Sequence, residues 1–341
     1  MTPKERLLRV LRKEKVDRPP VICTGGMMNA AVVDVMKATG HTLPEAHFDG
    51  DLMAALSRDV HEHTGFENFG VPFCMTVEAE VLGSSIDFGS LSCEPKIKRE
   101  VFPSVSRASL RDEGKHNGAG RTGAIFRAAV RLSEKFPDIP VIGNLTGPVS
   151  VSASIVDPMT FLKELRKDGD NAHRVMGFVS EFLIEFARGM IGNGAAAVSI
   201  GDPTATGEIL GPGLFEEYAV RYLNRVIEGI RAAGAPVIVH ICGDLKAVRH
   251  LLPRIKSDAI STDALVNLRL LKQEFPALTT MGNVSTYLLE FGPAEKVAAV
   301  AKKLVRDGVD IISPACGLST STSLAIIRAM TAAVKGGGAD G

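Results

Sequence analysis

The chain has 341 residues, 45% of them hydrophobic, enough to build a sizeable core as one α/β barrel with additions or as two domains. Lys+Arg and Asp+Glu both number 39, and a net charge of zero excludes general electrostatic binding to nucleic acid or to an anionic membrane. No apolar run reaches the roughly 18 residues of a membrane span. The five cysteines (Cys23, Cys74, Cys93, Cys242 and Cys316) are odd in number and follow no signal peptide, which predicts free thiols in a reducing cytoplasm.

In chain order, Thr2 and Pro3 open an amphipathic helix over 2–14 with Leu7, Leu8, Val10 and Leu11 on its apolar side. Residues 1–20 read as an N-terminal helical extension ended by Arg18-Pro19-Pro20, and Val21-Ile22-Cys23 begins a short strand. Helices are predicted at 29–38 and 51–64, the second capped by Asp51. Inside it, Asp59-Val60-His61-Glu62-His63-Thr64-Gly65 approaches D-x-H-x-x-G, by which corrinoid-binding domains offer a histidine to cobalt. The glycine falls one residue late and the context is helical, so the match is rejected and His61 and His63 are expected on the surface. Residues 67–120 read as an insertion of strands (69–73, 77–82, 85–88 and 95–101) and a charged, Gly-rich loop at 104–120. Glu78 and Glu80 fall on one face of the second strand, as solvated edge charges or as the lining of a cleft.

From 121 the rhythm is regular: helix 121–136, strand 140–145, helices near 158–167 and 170–192, strand 195–200, helix 213–233 and strand 237–241. Helix 244–254 (N-cap Asp244), strand 259–262, helix 267–274, strand 278–284, helix 293–306, strand 309–313 and helix 322–335 follow, with a flexible tail at 336–341. The strands are short and apolar with little alternation, as in a parallel sheet covered on both faces. With the strand near 21–24, about eight units fit, the arithmetic of a single (β/α)8 TIM-barrel domain. A doubly wound sheet is the alternative, but neither G-x-G-x-x-G nor a P-loop is present.

Polar residues gather at strand C-termini, the face where barrel enzymes carry their chemistry. Successive strand side chains alternate, so His240 and Cys242 share one face. With Cys316, in a second Cys-Gly strand exit, they form a candidate metal set of one nitrogen and two sulfurs. Three protein ligands leave a fourth position open, the catalytic arrangement for zinc, and thiolates favour Zn2+ over magnesium or manganese. Zinc of this kind activates a thiol, or alternatively a water. Asn144, Asp202 and Asn283 are expected to orient substrate at the mouth or to cap turns. Met27 and Met28 could pack against a flat ligand. Tyr218 and Tyr222, one helical turn apart, are expected to pack.

These residues resemble the uroporphyrinogen decarboxylase superfamily: Thr2-Pro3-Lys4-Glu5-Arg6, Gly143-Asn144-Leu145-Thr146-Gly147-Pro148, His240-Ile241-Cys242-Gly243-Asp244 and Met281-Gly282-Asn283-Val284. With Pro314-Ala315-Cys316-Gly317 the resemblance is to its methylcobamide:coenzyme M methyltransferase branch. It implies a (β/α)8 barrel that moves a methyl group from a methylated corrinoid protein, a separate partner, to a zinc-bound thiolate. It implies His240, Cys242 and Cys316 as ligands, with Asp263 standing where a glutamate that can complete the shell is more usual. Methyl transfer to tetrahydrofolate or homocysteine is an alternative, as is a non-catalytic zinc-stabilised partner of a corrinoid protein. A uroporphyrinogen decarboxylase-like decarboxylase is the rival within the superfamily. Thr24 to Asn29 carries no arginine where that branch has Arg-x-x-Gly-Arg to hold propionates.

Overall fold

The computed structural model describes residues 1–110 and 118–336. Residues 111–117 of the expected loop and 337–341 of the expected tail lie outside the described residues. The first part of the chain holds α1 (Pro3–Leu11), α2 (Val33–Thr39), α3 (Gly50–Thr64), β1 (Phe69–Val71), α4 (Val77–Val81), β2 (Ser85–Asp87) and β3 (Lys96–Arg99). Then come α5 (Gly120–Lys135), β4 (Val141–Thr146), α6 (Pro148–Ile155), α7 (Pro158–Lys167), α8 (Gly169–Gly192) and β5 (Ala197–Gly201). α9 (Gly207–Leu214), α10 (Arg221–Ala232), β6 (Val237–Ile241), β7 (Ala259–Thr262) and α11 (Leu268–Glu274) follow. The last elements are β8 (Thr280–Val284), α12 (Thr286–Phe291), α13 (Ala294–Arg306), β9 (Ile311–Pro314) and α14 (Leu324–Lys335).

Seven strands form one curled parallel sheet in the order β1-β4-β5-β6-β7-β8-β9, flanked by helices, a (β/α)8 barrel-like fold. Every residue of β4 to β9 is buried, which is why these strands read as unbroken apolar runs rather than as alternation. The ring closes through the segment at 20–23. Ile22 N donates to Ile312 O (3.0 Å), Ile312 N to Pro20 O (2.9 Å), and Glu67 N to Val21 O (2.9 Å). The Asn68 amide then clamps Cys23 on both sides, accepting from its N (3.0 Å) and donating to its O (2.8 Å). Two prolines before this stave and two glycines after it keep it to a single bridge, Val21 to Ile312, so the strand expected there is replaced by a side-chain clamp.

Several predicted elements are corrected. Residues 77–82 are not a strand but the helix α4. Val-Glu-Ala-Glu-Val fits either period, and burial of Glu78 against the end of β4 decides it. α3 is capped by Asp49, whose carboxylate accepts from Asp51 N (2.8 Å) and Leu52 N (3.0 Å); Asp51 instead pairs with Arg127 and Arg131. His61 is half-buried, its Nδ1 2.6 Å from Phe66 O. α1 stops at Leu11, with Lys13 in the left-handed region (φ 61°). The helix expected over 213–233 is broken. Gly211 takes φ 67° ahead of Pro212, Phe215–Val220 forms a π-helical turn, and α10 resumes after it. After β6, Asp244 accepts from Lys246 N (2.9 Å) and caps only a turn. The chain reaches no more than a 3-10 helix at Arg249–Arg254, where Pro253 removes a backbone donor.

Candidate metal centre

β6 carries His240 to the C-terminal mouth of the barrel, and Cys242 follows one residue past the strand end. Cys316 reaches the same rim from three strands along the parallel sheet, two residues beyond β9, after Ala315 N has bonded to Val284 O (2.8 Å). The Cys316 loop packs closely on the segment after the closing stave. A Cβ on Gly317 would collide with the carbonyl oxygen of Met27. His240 Nε2 lies 3.3 Å from Cys242 Sγ, and Cys242 Sγ lies 3.9 Å from Cys316 Sγ. All three ligand atoms fall within 4.8 Å of one another.

This donor set fits zinc. Tetrahedral bonds of about 2.3 Å to sulfur and about 2.0 Å to nitrogen separate two sulfurs by roughly 3.8 Å and a sulfur–nitrogen pair by roughly 3.5 Å. The sulfurs are too far apart for a disulfide, which needs about 2.05 Å. With Nε2 turned toward the thiols, the imidazole proton belongs on Nδ1, which donates to Ser261 Oγ (2.8 Å). His240 and Ser261 are register partners across β6 and β7, so the sheet itself supplies this support. The Ser261 hydroxyl is in turn oriented toward Met28 Sδ (3.9 Å).

The two thiols face each other. A hydrogen bond from Cys242 and the nearby His240 hold Cys316 below the usual thiol range against its burial. The same bond to Cys316, with burial added, pushes Cys242 up. Cys23 is a third thiol within electrostatic reach of Cys316. Burial, then the charge of Cys316, pushes it up, and its S–H donates to Met28 O (3.0 Å), so it remains a thiol rather than a ligand.

The other expected mouth residues are differently engaged. Asn144 Nδ2 donates to Thr24 O (2.7 Å), Ile142 O (3.1 Å) and Val71 O (3.2 Å), tying the closing stave to the strands beside it. Asp202 accepts from Val149 N (3.1 Å), Ser150 N (2.9 Å) and Ser150 Oγ (2.6 Å), capping α6; burial nonetheless pushes its carboxyl up to about 6. Asn283 Nδ2 donates to Asp263 O and Val266 O, both at 2.8 Å. Asp263 accepts from Leu265 N (3.0 Å) and is not one of the converging groups, although its charge reaches Cys242. Met27 is half-buried between Gly201 and the Cys316 loop. Tyr218 and Tyr222 are buried and pack, Tyr218 donating to Leu165 O (2.8 Å).

Sequence reasoning missed Ser261, although its place one register step from His240 could have marked it. It also missed His47 and Arg121, which no local pattern marks, and it set Glu78 on a strand face as an edge charge or cleft lining, whereas the buried carboxylate accepts from Thr146 N (2.7 Å) and Oγ1 (3.1 Å).

Over residues 2–337 the chain matches the uroporphyrinogen decarboxylase (URO-D) family, and it belongs to that family. Within it the chain groups with the methylcobamide:CoM methyltransferases. It is 33% identical to methylcobamide:CoM methyltransferase MtbA of Methanosarcina acetivorans over 336 residues, 98% of each chain. It is 34% identical to the Methanosarcina mazei MtbA over 338 residues, again 98% of each chain. Among solved structures, a methyltransferase from Methanosarcina mazei superposes with a TM-score of 0.91 at 28% identity, covering 98% of this chain and 99% of that one.

Proposed function

We propose that this protein is a zinc-dependent methyltransferase that moves a methyl group from a methylated corrinoid, carried by a separate protein, to a thiol such as coenzyme M. The observation that carries this reading is the convergence of His240, Cys242 and Cys316 at the barrel mouth with one tetrahedral position left to a substrate sulfur. Zinc held there keeps a bound thiol as thiolate at neutral pH. The grouping with the MtbA proteins supports corrinoid as donor and coenzyme M as acceptor.

The chain's own work is positional. Ser261 fixes the His240 ring, and the β9 exit with Gly317 against Met27 fixes Cys316. The substrate sulfur is thereby aimed outward at the mouth, where the corrinoid must approach. The thiolate attacks the methyl carbon, the carbon–cobalt bond breaks, and cobalt keeps the electron pair as Co(I). Five free cysteines suit a reducing compartment, and we place the enzyme in the cytoplasm.

The test is to incubate zinc-loaded protein with methylcobalamin and, in turn, coenzyme M, homocysteine and tetrahydrofolate, following cobalt demethylation in the visible spectrum. Turnover with a thiol that is lost in Cys316→Ser supports the reading. Turnover that survives in Cys316→Ser, or that occurs with tetrahydrofolate alone, overturns it.

A further inference from the structure

Four buried side-chain nitrogen or oxygen atoms among the described residues lack a hydrogen-bond partner, and three of them are both ring nitrogens of His47 and Nε of Arg121. These two residues are 1% and 5% exposed and lie within reach of each other's charge. Stranding such groups away from water is costly, so the fold favours an occupant. The guanidinium is otherwise fixed. Nη1 donates to Glu80 Oε2 (2.8 Å) and Thr76 Oγ1 (3.2 Å), Nη2 donates to Cys74 Sγ (2.7 Å), and the rings of Phe88 and Phe48 stand 5.5 and 5.9 Å from its centre. Phe88 belongs to the turn of the β2–β3 hairpin, which roofs this chamber.

The same turn reaches the metal centre. Thr320 Oγ1 donates to Ser92 O (3.0 Å), and Leu318 N, two residues after Cys316, donates to Asn29 O (3.3 Å). The Asn29 side chain lies beside Glu94, which is within electrostatic reach of both Cys316 and His47. Chamber and thiols therefore share a wall.

We propose that this chamber seats the oxyanion end, sulfonate or carboxylate, of the thiol whose sulfur binds at Cys242 and Cys316. The inference rests on the thiol-transfer reading above and names the residues that select among thiols. His47 N–H and Arg121 Nε–H are the donors. Glu80 already balances the Arg121 charge, so selection comes from directed hydrogen bonds. Glu94, which forms no salt bridge among the described residues, opposes the anion.

The experiment is calorimetric binding of 2-mercaptoethanesulfonate, 3-mercaptopropionate, 2-mercaptoethanol and cysteamine to the zinc-loaded chain. The two anionic thiols are expected to bind at least about tenfold tighter than 2-mercaptoethanol, a difference of about 1.4 kcal/mol. Arg121→Lys and His47→Leu should erase that preference while 2-mercaptoethanol binds as before, and Glu94→Gln should widen it. Equal affinities for the anionic and neutral thiols, or variants that weaken both alike, overturn the proposal. If the two buried variants fail to fold, the exposed Glu94→Gln decides, and an unchanged preference overturns it. If no thiol binds although zinc does, the methyl-transfer reading falls. Ethanesulfonate, which has no thiol, then interrogates the chamber alone on the metal-free chain: binding lost in Arg121→Lys or His47→Leu but kept in Cys316→Ser sustains the oxyanion site, and no binding overturns it.

Discussion

Asn144, Asp202 and Asn283 stand at the ends of β4, β5 and β8, on the same rim as His240, Cys242 and Cys316 at the ends of β6 and β9. The first set turns its side-chain donors and acceptors onto the barrel's own backbone or a neighbouring hydroxyl. The second set leaves a ring nitrogen and two sulfurs facing one point. Placement at the C-terminal face is shared. What separates scaffold from site is whether lone pairs remain uncommitted, and whether the donors are soft enough to prefer a metal to an amide N–H.

The sharpest way to break this comparison is to exchange the roles. Cys242→Ala and Cys316→Ala are expected to lower zinc affinity by more than the roughly 100-fold that loss of an outer partner costs, with circular dichroism unchanged. Chelator competition measures it, and retained zinc would place the metal elsewhere. Asn144→Ala should do the reverse, costing on the order of 3 kcal/mol in denaturant unfolding by stranding backbone carbonyls while zinc content stays whole.

A comparable effect is expected from pH. Burial pushes the Glu78 carboxyl up to about 7 despite its hydrogen bonds from Thr146. Its pKa is raised in the folded chain, so the proton is held more tightly there than in the unfolded chain. Stability therefore falls as pH rises from about 4.5 to about 7 and is level above, by at most about 3 kcal/mol. Glu78→Gln should flatten that slope, leaving a smaller decline below about pH 6 from Asp202, whose carboxyl burial also raises. A variant whose unfolding free energy keeps the wild-type pH slope would refute the assignment.

Ser261→Ala, which frees the His240 ring, should weaken zinc by roughly 10–100-fold without unfolding the chain. The smallest effect belongs to Asp263→Ala. Its carboxylate already accepts from Leu265 N, so zinc content should not change. Loss of zinc in that variant would add a fourth ligand to the set.

The barrel was legible in the sequence because its strands are buried on both faces and so read as short apolar runs between amphipathic helices. The convergence of the candidate metal set was legible because two of its members, His240 and Cys242, are local, and the third repeats the Cys-Gly exit. Residues 77–82 were not legible, since so short a segment satisfies either period until Glu78 finds Thr146 at the end of β4. Nor were the functions of Asn144 and Asp202, whose partners lie in distant parts of the chain: Thr24 is 120 residues from Asn144, and Ser150 is 52 from Asp202. Sequence alone determined which residues could ligate a soft metal, because that is a property of side-chain chemistry and strand alternation. Only the tertiary structure decided which polar residues stay uncommitted, because a lone pair is free or filled according to what the closed ring brings against it.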